Sequence, residues 1–235
     1  PGFINFFLGT EFYSAVIREI LANPEAYGRS EYGRDEKVMV EFVSANPTGP
    51  MHMGNARGGA LGDCLAAVLD KAGYNAWREF YVNDAGNQIE KFGCSLEARY
   101  LQIFKGDEIE FPEDGYQGED IKDLAKEYAD LNGDSLVNVS AEERKKALVD
   151  YALPKNIKKM QADMEKYKIF YDKWFFESEL HKSGAVKAVV DLLTEKGLTY
   201  EKDGAVWYKN KEVLTQKLLK EGKSQKYIDL SLIHI

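Results

Sequence analysis

Cysteine is scarce in this sequence of 235 residues, which contains only Cys64 and Cys94. Two cysteines are too few for the disulfide framework of a small secreted protein. Neither lies in a Cys-x-x-Cys pair or at a zinc-type spacing from a histidine. We therefore expect a reducing compartment, the cytoplasm, and no metal bound by side chains of the protein.

Long apolar runs are also missing. No stretch approaches the roughly 18 residues that a membrane-spanning helix needs, and the first residues lack the basic segment of a secretory signal. Apolar residues make up 44% and charged residues 30% of the chain, which excludes a disordered or collagen-like protein. The composition predicts a folded protein with no membrane partner.

Positive charge is in deficit, because the formal net charge is −8. Residues 105–150 contain fourteen acidic and six basic residues, so this one segment carries the whole imbalance. A chain of this charge does not bind nucleic acid over its whole surface. We expect the acidic stretch 107–134 to be a solvated insertion, which would repel RNA.

The middle of the chain alternates between strand and helix patterns. Strand, turn, helix, strand and helix are predicted over residues 38–43, 44–50, 52–72, 76–82 and 85–104. The first strand is apolar enough to be buried on both faces of a parallel sheet, and the first helix has an apolar stripe that includes Leu61 and Val68. Together they make a right-handed βαβ unit. The pattern predicts an α/β fold, the first half of a doubly wound parallel sheet, with a mostly helical insertion after it.

Composition also divides the chain into three parts. Residues 1–35 hold an apolar segment, predicted as a buried strand, then a helix and a polar linker. Residues 36–105 form the first βαβ half of a nucleotide-binding domain, and residues 106–235 the acidic, helical insertion and a return segment. The apolar tail 230–235 is either a strand without its partners or foreign sequence.

Within the third part, Ser140 and Glu143 form a capping box that begins a helix, and Pro154 is expected to interrupt that helix. Helical spacing over 184–196 predicts another helix. A hairpin is predicted over 198–209, around Asp203-Gly204.

Neither common phosphate-binding fingerprint occurs, since the chain has no GxxxxGK[ST] and no GxGxxG. The βα turn instead leads into His52-Met53-Gly54-Asn55. The start of a helix offers free N–H groups and a positive dipole end to an anion. Gly54 leaves the backbone open, while His52 and Asn55 share one helix face and can both donate to a phosphate. A lone histidine here is more often a cap or a packed residue, so the interpretation depends on the whole string.

That string resembles the HIGH signature of class I aminoacyl-tRNA synthetases and, within them, the bacterial arginyl enzymes. The similar segments lie at residues 2–6, 40–58, 81–89, 112–118 and 203–207. The resemblance implies a Rossmann-like catalytic domain of HUP type and an arginine–tRNA ligase. ATP, accompanied by Mg²⁺, would activate L-arginine to arginyl-adenylate, and the arginine would pass to tRNA(Arg). A monomer is expected.

The resemblance also implies site residues. His52, Gly54 and Asn55 would hold ATP, with His52 and Asn55 catalytic at its α-phosphate. The arginine-binding positions would be Glu41, Ser44, Asn46 and Gln88. For Glu41 the chemistry agrees, because a carboxylate best meets the donor fork of a guanidinium.

Three further positions stay open. Asn83 and Asp84, which follow the second strand, lie at the ligand-binding edge of such a sheet, but they also suit an Asx turn. Arg57 suits either a phosphate or a nearby carboxylate.

Three departures from the family pattern matter. Asn55 replaces the usual second histidine, and asparagine can donate but cannot carry charge. Gly49 lies where some members have a lysine, and no KMSKS sequence occurs. We therefore expect an incomplete piece of the enzyme that is inactive alone. Two alternatives remain, namely another class I nucleotidyl-transfer enzyme and a non-catalytic fragment that binds tRNA or a protein.

Overall fold

The computed structural model of the protein describes residues 2–224. The chain divides into two compact units, Pro1–Glu177 and Ser178–Ile235. The helices are α1 Thr10–Ala22, α2 Met53–Lys71, α3 Asn87–Lys105, α4 Glu119–Asn132, α5 Ala141–Lys166, α6 Glu177–Lys182, α7 Ala185–Glu195 and α8 Asn210–Lys220. The strands are β1 Lys37–Glu41, β2 Asn75–Val82, β3 Lys173–Phe176, β4 Thr199–Lys202 and β5 Ala205–Tyr208. Of the helices in this described part, none has the length and apolar character to cross a membrane.

A parallel sheet lies at the centre of the first unit. Its three strands are in the order β1-β2-β3. Helix α2 connects β1 to β2, and the helices α3, α4 and α5 all lie between β2 and β3. The predicted fold, the first half of a Rossmann-like parallel sheet with a mostly helical insertion, is confirmed.

The sheet is buried on one face. Val40, Phe80 and Val82 point into a core to which α5 contributes Met160 and Met164. On the opposite face, Met39 is 59% and Trp77 43% exposed. The prediction that the first strand is buried on both faces was therefore wrong, because α2 and α5 cover the same side.

Helix α2 packs through its smallest residues. Gly59, Gly62 and Ala66 are buried, whereas the predicted stripe residues Leu61 and Val68 are exposed. A Cβ on Gly62 would lie 2.2 Å from the ring carbon Cγ of Phe42. The helix can thus approach the end of β1 closely only because Gly62 has no side chain.

The helical insertion has a core of its own. Side chains from α3, α4 and α5 form one buried cluster, which includes Phe92, Leu96, Tyr100, Ile121, Ala125 and Leu148. Residues Ile121, Ala125 and Ala129 of α4 are buried. The prediction that 107–134 is solvated was therefore wrong for α4, because its apolar residues recur at i+4 and face α3.

Helix α5 is continuous through Pro154. The Ser140 half of the predicted capping box is confirmed, since Ser140 Oγ accepts a hydrogen bond from Glu143 N at 3.2 Å, but the Glu143 side chain does not return a bond to the backbone of Ser140. The predicted interruption at Pro154 was wrong. Buried residues hold the helix on both sides of the proline, with Ala152 before it and Met160 after it, and this packing outweighs one missing backbone hydrogen bond.

In the second unit, α7 and the β4–β5 hairpin confirm the predicted helix and hairpin. Asp203 and Gly204 both have positive φ, 53° and 74°, as a two-residue hairpin turn requires.

At the other end of the chain, residues 2–9 have no regular structure, and Phe7 is 97% exposed. The predicted buried strand there was wrong, since no strand of the described part pairs with it. The tail 230–235 lies outside the described residues.

Candidate functional site

A cavity of about 540 Å³ lies at the turn between β1 and α2. Four residues singled out from the sequence line it, namely Ser44, Asn46, His52 and Asn55. The insertion adds Tyr116, which precedes α4. The cavity is thus at the carboxyl edge of the parallel strands, where open α/β sheets bind their ligands.

His52 and Asn55 cap helix α2 reciprocally. The backbone N–H of His52 donates to Asn55 Oδ1 at 2.9 Å, and the N–H of Gly54 donates to His52 Nδ1 at 3.0 Å. Because Nδ1 accepts, a neutral His52 ring carries its proton on Nε2. The imidazole therefore caps the helix with one nitrogen and keeps an N–H on the other for a ligand.

Gly54 makes room for this cap. A Cβ at Gly54 would lie 2.8 Å from His52 Cε1 and 3.0 Å from His52 Nδ1. The N–H groups of Asn55 and Ala56 donate to His52 O at 2.9 and 3.2 Å. The amides of Gly54, Asn55 and Ala56 are thus satisfied within the cap, contrary to the expected free N–H groups, so a phosphate here would be met mainly by the side chains of His52 and Asn55.

The turn before the cavity is strained. Val43 and Ser44 have φ of 68° and 42°, a region that costs non-glycine residues of order 1–3 kcal/mol each and is typical of binding loops. Ser44 Oγ accepts a hydrogen bond from the backbone N–H of Tyr81 at 3.1 Å. This bond ties the turn to β2 and fixes the Ser44 side chain.

Helix α5 of the insertion also contacts the turn between β1 and α2. Pro47 is fully buried, and its carbonyl accepts a hydrogen bond from Asn156 Nδ2 at 3.0 Å. Asn156 is itself buried and lies on α5, two residues after Pro154. Helix α5 therefore helps to set the shape of the cavity wall.

Replacing Asn156 with leucine leaves the Pro47 carbonyl buried without a partner. We expect the free energy of unfolding to fall by about 1–3 kcal/mol, as for other buried unpaired polar groups. Urea denaturation measures this loss. Asn138→Leu is the matched control, because Asn138 is an exposed asparagine of the same insertion. Equal losses in the two variants would contradict a specific bond to Pro47.

Glu41 does not line the cavity. It is the last residue of β1, and it is exposed on the open face of the sheet. Burial and the nearby carboxylates of Glu177, Asp84 and Glu41 raise the pKa of the Tyr81 hydroxyl. These three carboxylates therefore lie near the Tyr81 hydroxyl, at the ends of the strands.

The side chains of Asn83 and Gln88 are hydrogen-bonded to nearby residues, and Arg57 differs from them. With its amide oriented to donate, Asn83 Nδ2 bonds Glu177 Oε2 at 2.5 Å and Ala85 O at 3.0 Å. Gln88 Oε1 accepts from the Tyr116 hydroxyl, and Gln88 does not line the cavity. Arg57 is exposed, and no carboxylate within residues 2–224 forms an ion pair with it.

Two residues of this site were not predicted from the sequence. Asn156 could have been found, because it and Arg144 are the two polar members of a buried series spaced by four, namely Arg144, Leu148, Ala152, Asn156, Met160 and Met164. A polar residue in such a series needs a partner. Tyr116 lies in the family-like segment 112–118, but the sequence does not indicate that the fold brings this segment beside the turn.

Within the part of the chain that the structure covers, no three His, Cys, Asp or Glu side chains are placed to hold a metal ion. Cys64 and Cys94 are both free thiols.

Known proteins similar to this chain share one description. The sequence matches the family "tRNA synthetases class I (R), catalytic domain" over residues 16–218. An arginine–tRNA ligase from Acetivibrio thermocellus is 61% identical over 210 residues, which are 89% of this chain and 37% of that protein. One from Ruminiclostridium cellulolyticum is 57% identical over 218 residues, 92% of this chain and 39% of that protein. A crystal structure described as an arginyl-tRNA synthetase from Campylobacter jejuni matches with a TM-score of 0.70 at 34% identity, over 86% of this chain and 43% of that one. The chain thus spans less than half the length of these relatives.

Proposed function

Because this chain belongs to the family of class I tRNA synthetase (R) catalytic domains, we propose that it takes part in the ATP-dependent ligation of L-arginine to tRNA(Arg) through an arginyl-adenylate. It would act as part of a longer enzyme, since it spans 37% of its relative from Acetivibrio thermocellus. The observation that carries the proposal is the reciprocal cap of His52 and Asn55 at a cavity on the carboxyl edge of the sheet.

The cap supplies two donors to a phosphate. His52 offers Nε2–H, and Asn55, whose Oδ1 is held by His52 N, offers its Nδ2 hydrogens. Both side chains line the cavity. Donors fixed in this way stabilise negative charge as it grows on the α-phosphate during adenylate formation. Mg²⁺ would enter with ATP as part of the substrate.

The two ends of arginine would meet different groups. Its α-amino and carboxyl groups would lie in the cavity near Ser44 and Asn46, and its guanidinium near the carboxylates around Tyr81. The hydrogen bond from Tyr81 N to Ser44 Oγ connects the turn at the cavity to the strand that carries Tyr81. A cationic side chain beside Glu41, Asp84 and Glu177 is favoured by charge.

The setting of the enzyme is part of the same proposal. The free thiols of Cys64 and Cys94 suit a reducing cytoplasm. Residues 1–35 would be the end of a tRNA-contacting domain, residues 36–105 the first nucleotide-binding half, and residues 106–235 the insertion and return segment. We expect the enzyme to act as a monomer.

The experiment is tRNA charging by the full-length protein that contains this chain. With ATP and tRNA(Arg), we expect charging with L-arginine and none with citrulline, its uncharged analogue, because citrulline cannot form an ion pair with the carboxylates. Binding of tRNA without charging would favour the non-catalytic alternative. Charging or ATP–pyrophosphate exchange with a different acid would favour another nucleotidyl-transfer enzyme.

A further inference from the structure

The insertion contributes a rigidly held tyrosine to the cavity. The backbone N–H of Tyr116 donates to Ser95 Oγ at 2.8 Å, and the fully buried Ser95 donates in turn to Lys91 O at 2.7 Å. The rings of Tyr116 and Phe92 pack edge to face, with centroids 6.5 Å apart. Tyr116 is thus attached to α3 by backbone and ring together.

Gly115 explains how this segment fits so closely. A Cβ there would lie 2.8 Å from the Phe111 ring and 3.0 Å from both Pro112 O and Ser95 Oγ. The close approach to α3 therefore depends on a residue without a side chain at position 115. It places the next residue, Tyr116, at the cavity wall.

The hydroxyl of Tyr116 has a fixed direction. It donates its proton to Gln88 Oε1, and Gln88 lies outside the cavity lining while Tyr116 is part of it. A phenol whose proton is already engaged can still accept a hydrogen bond. It can therefore accept a hydrogen bond from an N–H or O–H group of a ligand.

We infer that Tyr116 contacts the substrate directly, accepting a hydrogen bond from the α-ammonium group of L-arginine, and that Gln88 is a positioning residue that acts through Tyr116. This inference rests on the proposed function. The ammonium group is adjacent to the carboxyl group that must reach the α-phosphate beside His52 and Asn55, so it belongs in the cavity. The guanidinium, at the far end of arginine, belongs with the carboxylates around Tyr81.

The first test compares Tyr116→Phe, Gln88→Leu and the double variant in the full-length enzyme. We expect Tyr116→Phe to raise the KM for arginine about 10-fold, the scale of a hydrogen bond to a charged group, with the KM for ATP and the thermal midpoint unchanged. Gln88→Leu should raise the KM for arginine less, and it should add nothing in the Tyr116→Phe background. Additive effects would show that Gln88 contacts arginine independently, and equal rises in both KM values would show a general structural role; either result overturns the inference.

The second test removes the ammonium group from the ligand. The inhibition constant of 5-guanidinopentanoic acid, which is arginine without its α-amino group, should be the same for the wild-type enzyme and Tyr116→Phe. A loss of inhibition equal to the rise in the KM for arginine would refute the contact with the ammonium. If the wild-type enzyme charges arginine and Tyr116→Phe has wild-type kinetics, this inference alone fails. If the wild-type enzyme never activates arginine, the proposed function fails with it.

Discussion

Replacing His52 with alanine in the full-length enzyme is expected to lower ATP–pyrophosphate exchange, measured with tRNA present, by about two to three orders of magnitude, the usual effect of removing one transition-state donor. The variant loses the Nε2 donor that the reciprocal cap leaves available to the phosphate. It also loses the helix cap, which costs roughly 1 kcal/mol of stability. Urea denaturation under the assay conditions therefore accompanies the kinetics.

The control for the cap is His52→Asn. Asparagine is among the best N-cap residues, so this variant should keep the start of α2 and its stability. Its shorter side chain cannot place a donor where the imidazole Nε2 lies, so exchange should stay low. Near-normal exchange in His52→Ala, or full recovery in His52→Asn, would show that His52 only caps the helix.

Replacing Glu41 with glutamine is expected to raise the KM for arginine by about 10- to 100-fold, the scale of a charge-assisted hydrogen bond, and to leave the KM for ATP unchanged. Glutamine has the same shape but no charge, so the fold of β1 is not disturbed. Steady-state kinetics with each substrate varied in turn measure the two constants.

Glu79→Gln is the matched control, because Glu79 pairs with Glu41 in the register of β1 and β2. A contact with the guanidinium predicts a large effect at Glu41 and a small one at Glu79. Similar effects at both positions would indicate only a general negative potential. Equal rises in the KM for ATP and arginine at Glu41 would remove it from guanidinium recognition.

The βαβ unit could be predicted because its signals are local. Apolar strands, the Pro/Gly-rich turn and Gly73, which has a φ of 87° after α2, each indicate their own structure without knowledge of the rest. The cap at His52 and the hairpin at Asp203-Gly204 are of the same kind. Such features depend on residues within a few positions of one another.

What could not be predicted depends on distant contacts. The apolar stripe of α2 points outward because the close approach of Phe42 to Gly62 selects the glycine face. Helix α5 continues through Pro154 because buried side chains hold it on both sides. Tyr116 and Asn156 reach the turn from 60 or more residues away in sequence. No periodic pattern in the sequence indicates these long-range contacts.

Helix α5 joins two separate interiors. Its first half contributes Leu148 and Ala152 to the insertion core, and its second half contributes Met160 and Met164 to the clusters beneath the sheet. Pro154 lies between these two halves, where one missing backbone hydrogen bond lowers the energy needed to bend the helix. If α5 bends at Pro154, Tyr116 moves with the insertion core, while the turn bonded to Asn156 stays with the clusters beneath the sheet. The distance between Tyr116 and this turn then changes. The width of the cavity at the turn between β1 and α2 is thereby linked to the bend of helix α5.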